Sequence, residues 1–371
     1  MNGVLARGAM VLLAAGLVAC SGNTVRQPYV PNHQGNFDLR RPPCEPADRP
    51  DARSSDLLIR YLGVGGLYLE WEGISLLTAP LFTRYGPMRV AFGEIEWDED
   101  AIRRGLDGLH LETACAVLAG HSHYDHLADV PPVLIDHAPD ALAYVNRTGA
   151  KMLEAFPELS PRVVVIEEQG DDWIPLLGPD GAPLPIRVLA LPYEHASHLA
   201  GILFADGEIE EGWDEWSDRK LREMKEGTTF AFVIDLLSDE SDVLHRIYYQ
   251  DAAGLPSGLL DDRPVDLAVL PMPSHRRVED YPGNVIRTTK ARHVLAIHYE
   301  DFLRDPDKPI RMVPTLTDKT ARQFLEAVEA ATSEPERSLQ GPDPCGCGPC
   351  GDAWSMPLPG EWLRFRVASD D

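Results

Sequence analysis

The hydrophobic pattern is clearest from residue 57 onward, where short apolar runs alternate with turns. Residues 57–62 and 67–71 are mostly apolar and are separated by a glycine-rich turn at 63–66, and a second turn follows at Glu72 and Gly73. Apolar runs of this length between glycine turns predict β-strands joined as hairpins. The glycine cluster does not indicate phosphate binding, since no capped helix follows it.

The rest of this region mixes predicted strands with predicted helices. Continuous apolar runs at 113–120 and 228–237 predict buried strands. Apolar residues at helical spacing predict an amphipathic helix at 318–331, and shorter helices are predicted at 101–106 and 148–156.

Residues 1–19 have the pattern of a signal peptide, because an apolar run at 9–19 follows one basic residue and is too short to span a bilayer comfortably. Residues 17–20 resemble the bacterial lipoprotein box, which implies cleavage before Cys20 and a lipid on its thiol. The residues after Cys20 favour the outer membrane, so the expected location is the periplasmic side of the bacterial cell envelope. The alternative is an ordinary secretory signal with a chance cysteine.

Residues 20–56 are rich in proline and carry little apolar pattern, which predicts an extended tether between membrane and domain. The remaining chain, residues 57–367, is expected to form one enzyme-sized domain with a cysteine-rich insertion at 338–351. Cys115 lies in an apolar run and is expected to stay buried. Four further cysteines favour two disulfides in an exported protein: Cys44, Cys345, Cys347 and Cys350. The alternative is a weak zinc site formed by the three tail cysteines Cys345, Cys347 and Cys350.

The formal net charge of −25 at pH 7 changes the range of partners that the chain can bind. Phosphate backbones require many lysines and arginines, so nucleic acid is excluded as a partner. Acidity is concentrated at residues 206–218, which also contain Trp213 and Trp216. These two tryptophans predict either a lid at the rim of a binding site or a solvated surface insertion.

The densest candidate chemistry lies at residues 121–126, where three histidines and an aspartate occur within six positions. The segment follows the predicted strand at 113–120, and strand ends commonly carry functional residues in α/β proteins. Imidazole and carboxylate donors suit zinc and similar divalent ions. The motif therefore predicts a metal site, and the alternative is a histidine-rich surface loop.

The His-x-His-x-Asp-His pattern of this segment resembles the metallo-β-lactamase superfamily. Three later apolar runs resemble the family's other ligand strands in the family's order, and they lead to His195, Asp251 and His298. The resemblance covers roughly residues 57–335. It implies the family's α/β fold, a four-layer αββα sandwich with metals at the sandwich edge.

The resemblance also implies two divalent ions, with zinc favoured over manganese or iron. The implied ligands form two groups joined by a bridging aspartate: His121, His123 and His195 for the first ion, Asp125, His126 and His298 for the second, and Asp251 between them. A bridging hydroxide would be the nucleophile, and Asp125 would orient it or move its proton.

Two other histidines are candidate site residues. His198 is an alternative to His195 as the third ligand, although His195 ends its apolar run directly. His198 would otherwise face the substrate or be an ordinary exposed residue. His275 follows another apolar run and is a candidate substrate contact, with a surface histidine as the default interpretation.

One position departs from the family pattern. Relatives often carry Asp-Pro at the end of an early strand beneath the metals, whereas this chain has Ala79 followed by Pro80. If the aspartate of the relatives orients metal ligands, this chain must orient them by other means.

The candidates His126 and Asp251 argue against a zinc β-lactamase, which usually lacks both. The opening hairpin and the ligand spacing resemble the branch that contains ascorbate-phosphate lactonase and N-acylphosphatidylethanolamine phospholipase D. The expected activity is metal-dependent hydrolysis of a phosphodiester in a lipid or a small molecule. The alternatives are a lactonase or other carboxylic-ester hydrolase, and a non-catalytic lipoprotein that binds metal or ligand.

Overall fold

The structure is a computed structural model that describes residues 30–31, 37–38, 49–50, 56–197, 205–257, 263–304, 308, 310–332, 350–351 and 353–365. The predicted signal peptide lies outside these residues, as do Cys20, His198, Cys44, Cys345 and Cys347. No helix in the described part of the chain combines the length and hydrophobicity needed to cross a bilayer.

The described residues form seventeen strands and seven α-helices. The strands are β1 (Val30–Pro31), β2 (Phe37–Asp38), β3 (Leu57–Gly63), β4 (Gly66–Trp71), β5 (Ile74–Thr78), β6 (Ala114–Leu118), β7 (Leu142–Val145), β8 (Val163–Val165), β9 (Ile174–Leu177), β10 (Pro183–Tyr193), β11 (Thr229–Leu237), β12 (Val243–Tyr249), β13 (Leu267–Pro271), β14 (His293–Ile297), β15 (Cys350–Gly351), β16 (Trp354–Ser355) and β17 (Trp362–Phe365). The helices are α1 (Pro87–Phe92), α2 (Glu99–Leu106), α3 (Tyr124–Leu127), α4 (Val130–Pro132), α5 (Arg147–Leu153), α6 (Gly283–Thr289) and α7 (Asp318–Thr332). Short 3-10 or π turns occur at Leu111–Thr113, Val133–His137, Pro157–Arg162, Ile166–Glu168, Leu221–Glu223 and His275–Arg277.

Two mixed sheets contain the fifteen described strands from β3 to β17, while β1 and β2 pair with each other. The first sheet has the order β17-β3-β4-β5-β6-β7-β8 and the second has the order β15-β16-β14-β13-β12-β11-β10-β9. In the second sheet, β12, β13 and β14 run parallel to one another, whereas β11 is antiparallel to both β10 and β12. Strands β10, β12 and β14 therefore point the same way, and their carboxyl ends meet at one edge of the sheet.

Alternating side chains of the first sheet face two different cores. Leu57, Ile59 and Tyr61 belong to a core shared with the second sheet, whereas Leu58 and Leu62 belong to a second core shared with α2 and α5. This alternation follows from the two-residue repeat of a β-strand. Helices α6 and α7 pack on the second sheet. The structure thus confirms the predicted α/β class, with two facing sheets and helices on their outer sides.

Most of the predicted elements are confirmed. The opening hairpin is formed by β3 and β4 in antiparallel register, and the turn between them uses Gly63 with a φ of 101°. The amphipathic helix α7 begins after Thr317, whose hydroxyl accepts the backbone N–H of Thr320, as expected for an N-cap. Its residues Phe324 and Leu325 are buried in the core between the second sheet and the helices.

The two tryptophans of the acidic segment do not form a lid. Trp213 is 4% exposed and Trp216 is 5% exposed, and their ring centroids lie 5.3 Å apart. Trp216 also packs against Phe156 and Trp97, at 5.3 Å and 6.5 Å between centroids. Burial of these large aromatic surfaces anchors the acidic segment to the outer core of the first sheet. The lid interpretation is therefore wrong.

Candidate metal centre

The motif at residues 121–126 lies where β6 gives way to the first turn of α3. His123 has extended backbone angles and is the N-cap of α3, so His121 and His123 precede the helix while Asp125 and His126 lie in its first turn. The backbone N–H of His126 donates to the carbonyl of His123 at 3.0 Å. Because side chains before and inside a first helical turn project in different directions, one short loop can serve two adjacent metal positions.

Asn146 fixes the loop in place from beneath. Its side-chain amide donates to the carbonyls of Glu226 and Thr228 at 2.8 and 2.7 Å, and its oxygen accepts the hydroxyl of Ser122 at 2.5 Å. The backbone N–H of Ser122 in turn donates to the Glu226 carbonyl at 3.0 Å. Asn146 is fully buried, so the hydrogen bonds between these segments are protected from water.

The seven predicted ligands lie together at one edge of the sandwich. Within each of three overlapping groups, one donor atom per residue lies within 4.8 Å of the others. The groups are His121, His123 and His195; His121, His126 and Asp251; and Asp125, His126 and His298. His195, Asp251 and His298 follow β10, β12 and β14, the three like-directed strands whose carboxyl ends share an edge. The structure thus brings the seven candidate donors together in three overlapping groups.

Asp251 lies between the two outer groups. Its Oδ2 accepts the backbone N–H of Gly120 at 2.9 Å, and its Oδ1 is 3.0 Å from Nδ1 of His121. Its Oδ2 is also 3.6 Å from Nδ1 of His126. Asp125 lies beside both histidines of its own group. Its Oδ2 is 3.5 Å from Nε2 of His126 and 3.4 Å from Nε2 of His298.

The electrostatic environment keeps the carboxylates ionised. Burial opposes ionisation of Asp251, but His121 and His126 outweigh it and lower its pKa to about 2. Burial likewise opposes ionisation of Asp125, yet His126 and His298 hold its pKa well below the usual range. Burial lowers the pKa of His126 to about 3, so this imidazole is neutral at pH 7 and one of its ring nitrogens can coordinate a cation.

A divalent cation fits this donor set. Five imidazoles and two carboxylates converge in a buried pocket, and Nδ1 of His126 has no hydrogen-bond partner among the described residues. Buried polar atoms without partners are rare unless an ion or water completes them. Nitrogen and oxygen donors of these types bind zinc, manganese and iron. The cluster can therefore hold metal.

His298 is held by a buried tyrosine and glutamate that the sequence did not point to. His298 has a left-handed backbone with a φ of 60°, and its N–H donates to the hydroxyl of Tyr61 at 3.0 Å. That hydroxyl donates to Oε2 of Glu300 at 2.6 Å, and Glu300 also accepts the N–H of Val64. Tyr61 thus connects the opening hairpin of the first sheet to the last predicted ligand.

We expect Tyr61→Phe to weaken metal binding at the Asp125 group by about 10- to 100-fold, the usual cost of losing a residue that orients a ligand. The change leaves the His298 N–H and the Glu300 carboxylate without the bridging hydroxyl. Titration against a chromophoric chelator measures the affinity. Tyr68→Phe is the matched control, because Tyr68 donates to Oε2 of Glu70 at 2.9 Å on the outer face of the same sheet. Equal metal affinities in the two variants would contradict a role for Tyr61 in positioning His298.

Gly65 contacts the site at the position where a side chain would collide with a ligand. A Cβ added there would lie 2.8 Å from Nδ1 of His126 and 3.0 Å from the hydroxyl of Tyr249. Its carbonyl accepts the hydroxyls of Thr78 at 2.8 Å and Tyr249 at 2.7 Å. Ala79 brings no carboxylate to the site, and its N–H donates to the Leu118 carbonyl at 2.9 Å. The turn of the opening hairpin therefore packs its backbone at Gly65 against His126.

A cavity of about 620 Å³ opens beside His195. Residues 192–197, 254–255, 257 and 277–278 contribute to its wall. Nδ1 of His195 lies 2.7 Å from the carbonyl of Ala196, which fixes the ring beside His121 and His123, at centroid distances of 4.9 and 5.3 Å. The cavity thus borders the first group of donors and is the space in which a substrate would approach them.

His275 lies away from this cavity wall. Its ring is 5% exposed and packs edge-on against Phe324 of α7 with centroids 5.6 Å apart, and its Nδ1 is 2.8 Å from the Met272 carbonyl. Burial lowers the pKa of His275. His275 therefore fixes a turn, while Arg277, two residues later, borders the cavity.

No family model matches this sequence, and no curated relative does either. Among solved structures, the chain is similar to Igni18, a metallo hydrolase from Ignicoccus hospitalis, at 13% identity over 84% of this chain and 100% of that one, with a TM-score of 0.43. It is similar to the metallo-β-lactamase fold protein YhfI from Bacillus subtilis at 13% identity over 83% and 99%, with a TM-score of 0.43. It is also similar to an isothiocyanate hydrolase from Delia radicum gut bacteria at 14% identity over 83% and 99%, with a TM-score of 0.44. Any assignment of a reaction therefore depends on this chain's own residues.

Proposed function

We propose that this chain is a metallo-β-lactamase superfamily hydrolase that uses two divalent ions, zinc in first place, to cleave a phosphodiester in a lipid or a small molecule. The observation that supports it most is the convergence of all seven predicted donors from four separate segments of the chain. A cluster that merely scavenged metal would not need two groups of donors joined by a buried carboxylate. When bound, the ions would supply an activated water and a Lewis acid at the scissile bond.

The residues of the chain have distinct roles in this proposal. His121, His123 and His195 would hold one ion, and Asp125, His126 and His298 would hold the other. Asp251, which is fully buried, would be shared by both ions. The side chain of Asp125 keeps 14% of its surface exposed, so it is the carboxylate that substrate and water can reach. Asp125 would therefore orient the attacking water or move its proton during hydrolysis.

The preference for a phosphodiester has two supports. A paired cation site neutralises the negative charge of a phosphoryl group, which an acidic protein would otherwise repel. The predicted lipid on Cys20 would hold the domain beside a bilayer, which favours a lipid as the carrier of the scissile bond.

Hydrolysis of bis(p-nitrophenyl) phosphate by the metal-loaded chain tests this function. We expect release of p-nitrophenol that stops on chelation and returns with zinc, manganese or iron. Asp125→Asn should lower the rate by about a hundredfold or more, within the range for loss of a group that moves a proton. Asp136→Asn, at an exposed aspartate outside the cluster, should leave it unchanged. Cleavage of lactones or p-nitrophenyl acetate alone would indicate a carboxylic-ester hydrolase, and cleavage of neither class would favour the non-catalytic alternative.

A further inference from the structure

Arg277 borders the cavity beside His195 and has no ion-pair partner within the described ranges of the chain. Arg287 pairs with Asp280, and Arg292 pairs with Asp266 at 2.6 Å. The neighbouring Arg276 is exposed but does not border the cavity. In a chain with a net charge of −25, Arg277 places a positive charge at the mouth of the candidate active site, where it can attract an anion. Its five N–H donors are arranged to bind a carboxylate or a phosphate.

The turn that carries Arg277 is held rigidly. Arg277 ends a 3-10 turn in which its N–H donates to the Ser274 carbonyl at 2.8 Å, and Ser274 has a left-handed φ of 59°. His275 of the same turn is buried against Phe324. Val278, the next residue, packs against the core that the first sheet shares with the second sheet. A fixed backbone reduces the entropy lost when the guanidinium binds an anion.

The rest of the described cavity wall combines apolar surface with one carboxylate. Pro192, Tyr193, Leu255 and Val278 contribute apolar surface. Glu194 is the one carboxylate in the described part of the wall, and it is exposed and makes no ion pair with Arg277. The apolar part of a substrate would contact the four apolar wall residues. An anionic end of the same substrate would be attracted by Arg277 and repelled by Glu194.

We propose that Arg277 determines specificity by binding a second anionic group, a carboxylate or a phosphate, on a substrate whose apolar body occupies the cavity. The proposal rests on the proposed hydrolytic function, since the scissile group must lie at the histidine cluster while the second group reaches Arg277. Glu194 restricts the position of that anion by repulsion, which narrows the substrates that the cavity accepts.

Paired diesters test the proposal in the metal-loaded full chain. Each pair compares p-nitrophenyl phenyl phosphate with one charged analogue. The analogues carry a carboxylate or a phosphonate in the para position of the phenyl ring. We expect the charged diesters to be preferred, and Arg277→Ala to lower that preference in kcat/KM by about tenfold, the size of one charge-assisted hydrogen bond. The carboxylate and phosphonate arms show which anion the guanidinium prefers.

Two variants serve as comparisons. Arg276→Ala removes an exposed arginine from the same turn that does not border the cavity, so it should leave the preference unchanged. Glu194→Gln should raise the preference by about two- to fivefold, because it removes the like charge. An equal loss on charged and uncharged diesters in Arg277→Ala, or no loss on either, would overturn the proposal.

A binding measurement separates this proposal from the hydrolytic function. Calorimetry compares phenylphosphonate with 4-carboxyphenylphosphonate, neither of which is cleaved. If the chain hydrolyses no diester but binds the carboxylated ligand about tenfold more tightly, and Arg277→Ala removes that difference, the anion site stands while the hydrolytic function fails. If neither ligand binds, or the difference persists in Arg277→Ala, the anion site is wrong.

Discussion

Replacing Asp251 with asparagine is expected to lower hydrolysis by about a thousandfold, equivalent to about 4 kcal/mol of transition-state stabilisation, and to remove at least one bound metal. Asp251 accepts the N–H of Gly120 with one oxygen and faces His121 with the other. An amide carries no charge and replaces one of these oxygens with an NH₂ group. The variant therefore loses the negative charge that the two ions would share. Its NH₂ group would face either the N–H of Gly120, which is also a donor, or the metal.

A second buried aspartate provides the control for this prediction. Asp129 is fully buried, and its Oδ2 accepts the N–H groups of Phe82 and Thr83 at 2.7 Å each, yet it belongs to none of the donor groups. Asp129→Asn can keep these bonds through its remaining oxygen and should retain metal, even if it unfolds at a lower temperature. Metal content and p-nitrophenol release are the measurements. Full metal content in Asp251→Asn would refute the role of Asp251 as the bridge.

Gly65→Ala is the second change with a large expected effect, because it disturbs the site without touching a donor. The added methyl group would lie 2.8 Å from Nδ1 of His126, a distance that real Cβ atoms do not tolerate. The backbone cannot withdraw, since Thr78 and Tyr249 both hold the Gly65 carbonyl. His126 must move instead. We expect metal affinity to fall by about a hundredfold, with a matching loss of activity.

Gly86→Ala is the matched control for Gly65→Ala. A Cβ at Gly86 meets no atom within 4 Å, and its φ of −59° suits alanine. Chelator titration of both variants, together with thermal unfolding, separates a local effect on His126 from a general loss of stability. Two metals bound with wild-type affinity in Gly65→Ala would show that the hairpin does not position His126.

The parts of the site that could be predicted from sequence are those defined by local patterns. Residues 121–126 carry four donors within a single loop, so their proximity follows from the chain itself. His195, Asp251 and His298 each follow an apolar strand, and the resemblance gave their order. The structure adds the reason that they meet, which is that their three strands run in the same direction within one sheet.

The supporting residues could not be predicted because they act across long stretches of chain. Tyr61 and Glu300 are 239 positions apart, and nothing in the sequence near Tyr61 marks it as a partner of His298. The effect of Gly65 arises from the space between two elements. The lid prediction for Trp213 failed for the opposite reason. Its acidic neighbours suggested that the segment is exposed, although the tryptophan side chain itself is buried. Sequence patterns report the average polarity of a segment, whereas packing is decided for each side chain.

Metal content is the most direct test of the account, because every role assigned to these residues depends on a two-metal centre. Inductively coupled plasma mass spectrometry should be applied to the purified chain grown with zinc, manganese and iron, alongside His195→Ala and His298→Ala. We predict two ions per wild-type chain and about one in each variant, since each substitution removes a donor from only one outer group. The absence of stoichiometric metal in the wild type, or an unchanged content in both variants, would contradict the account.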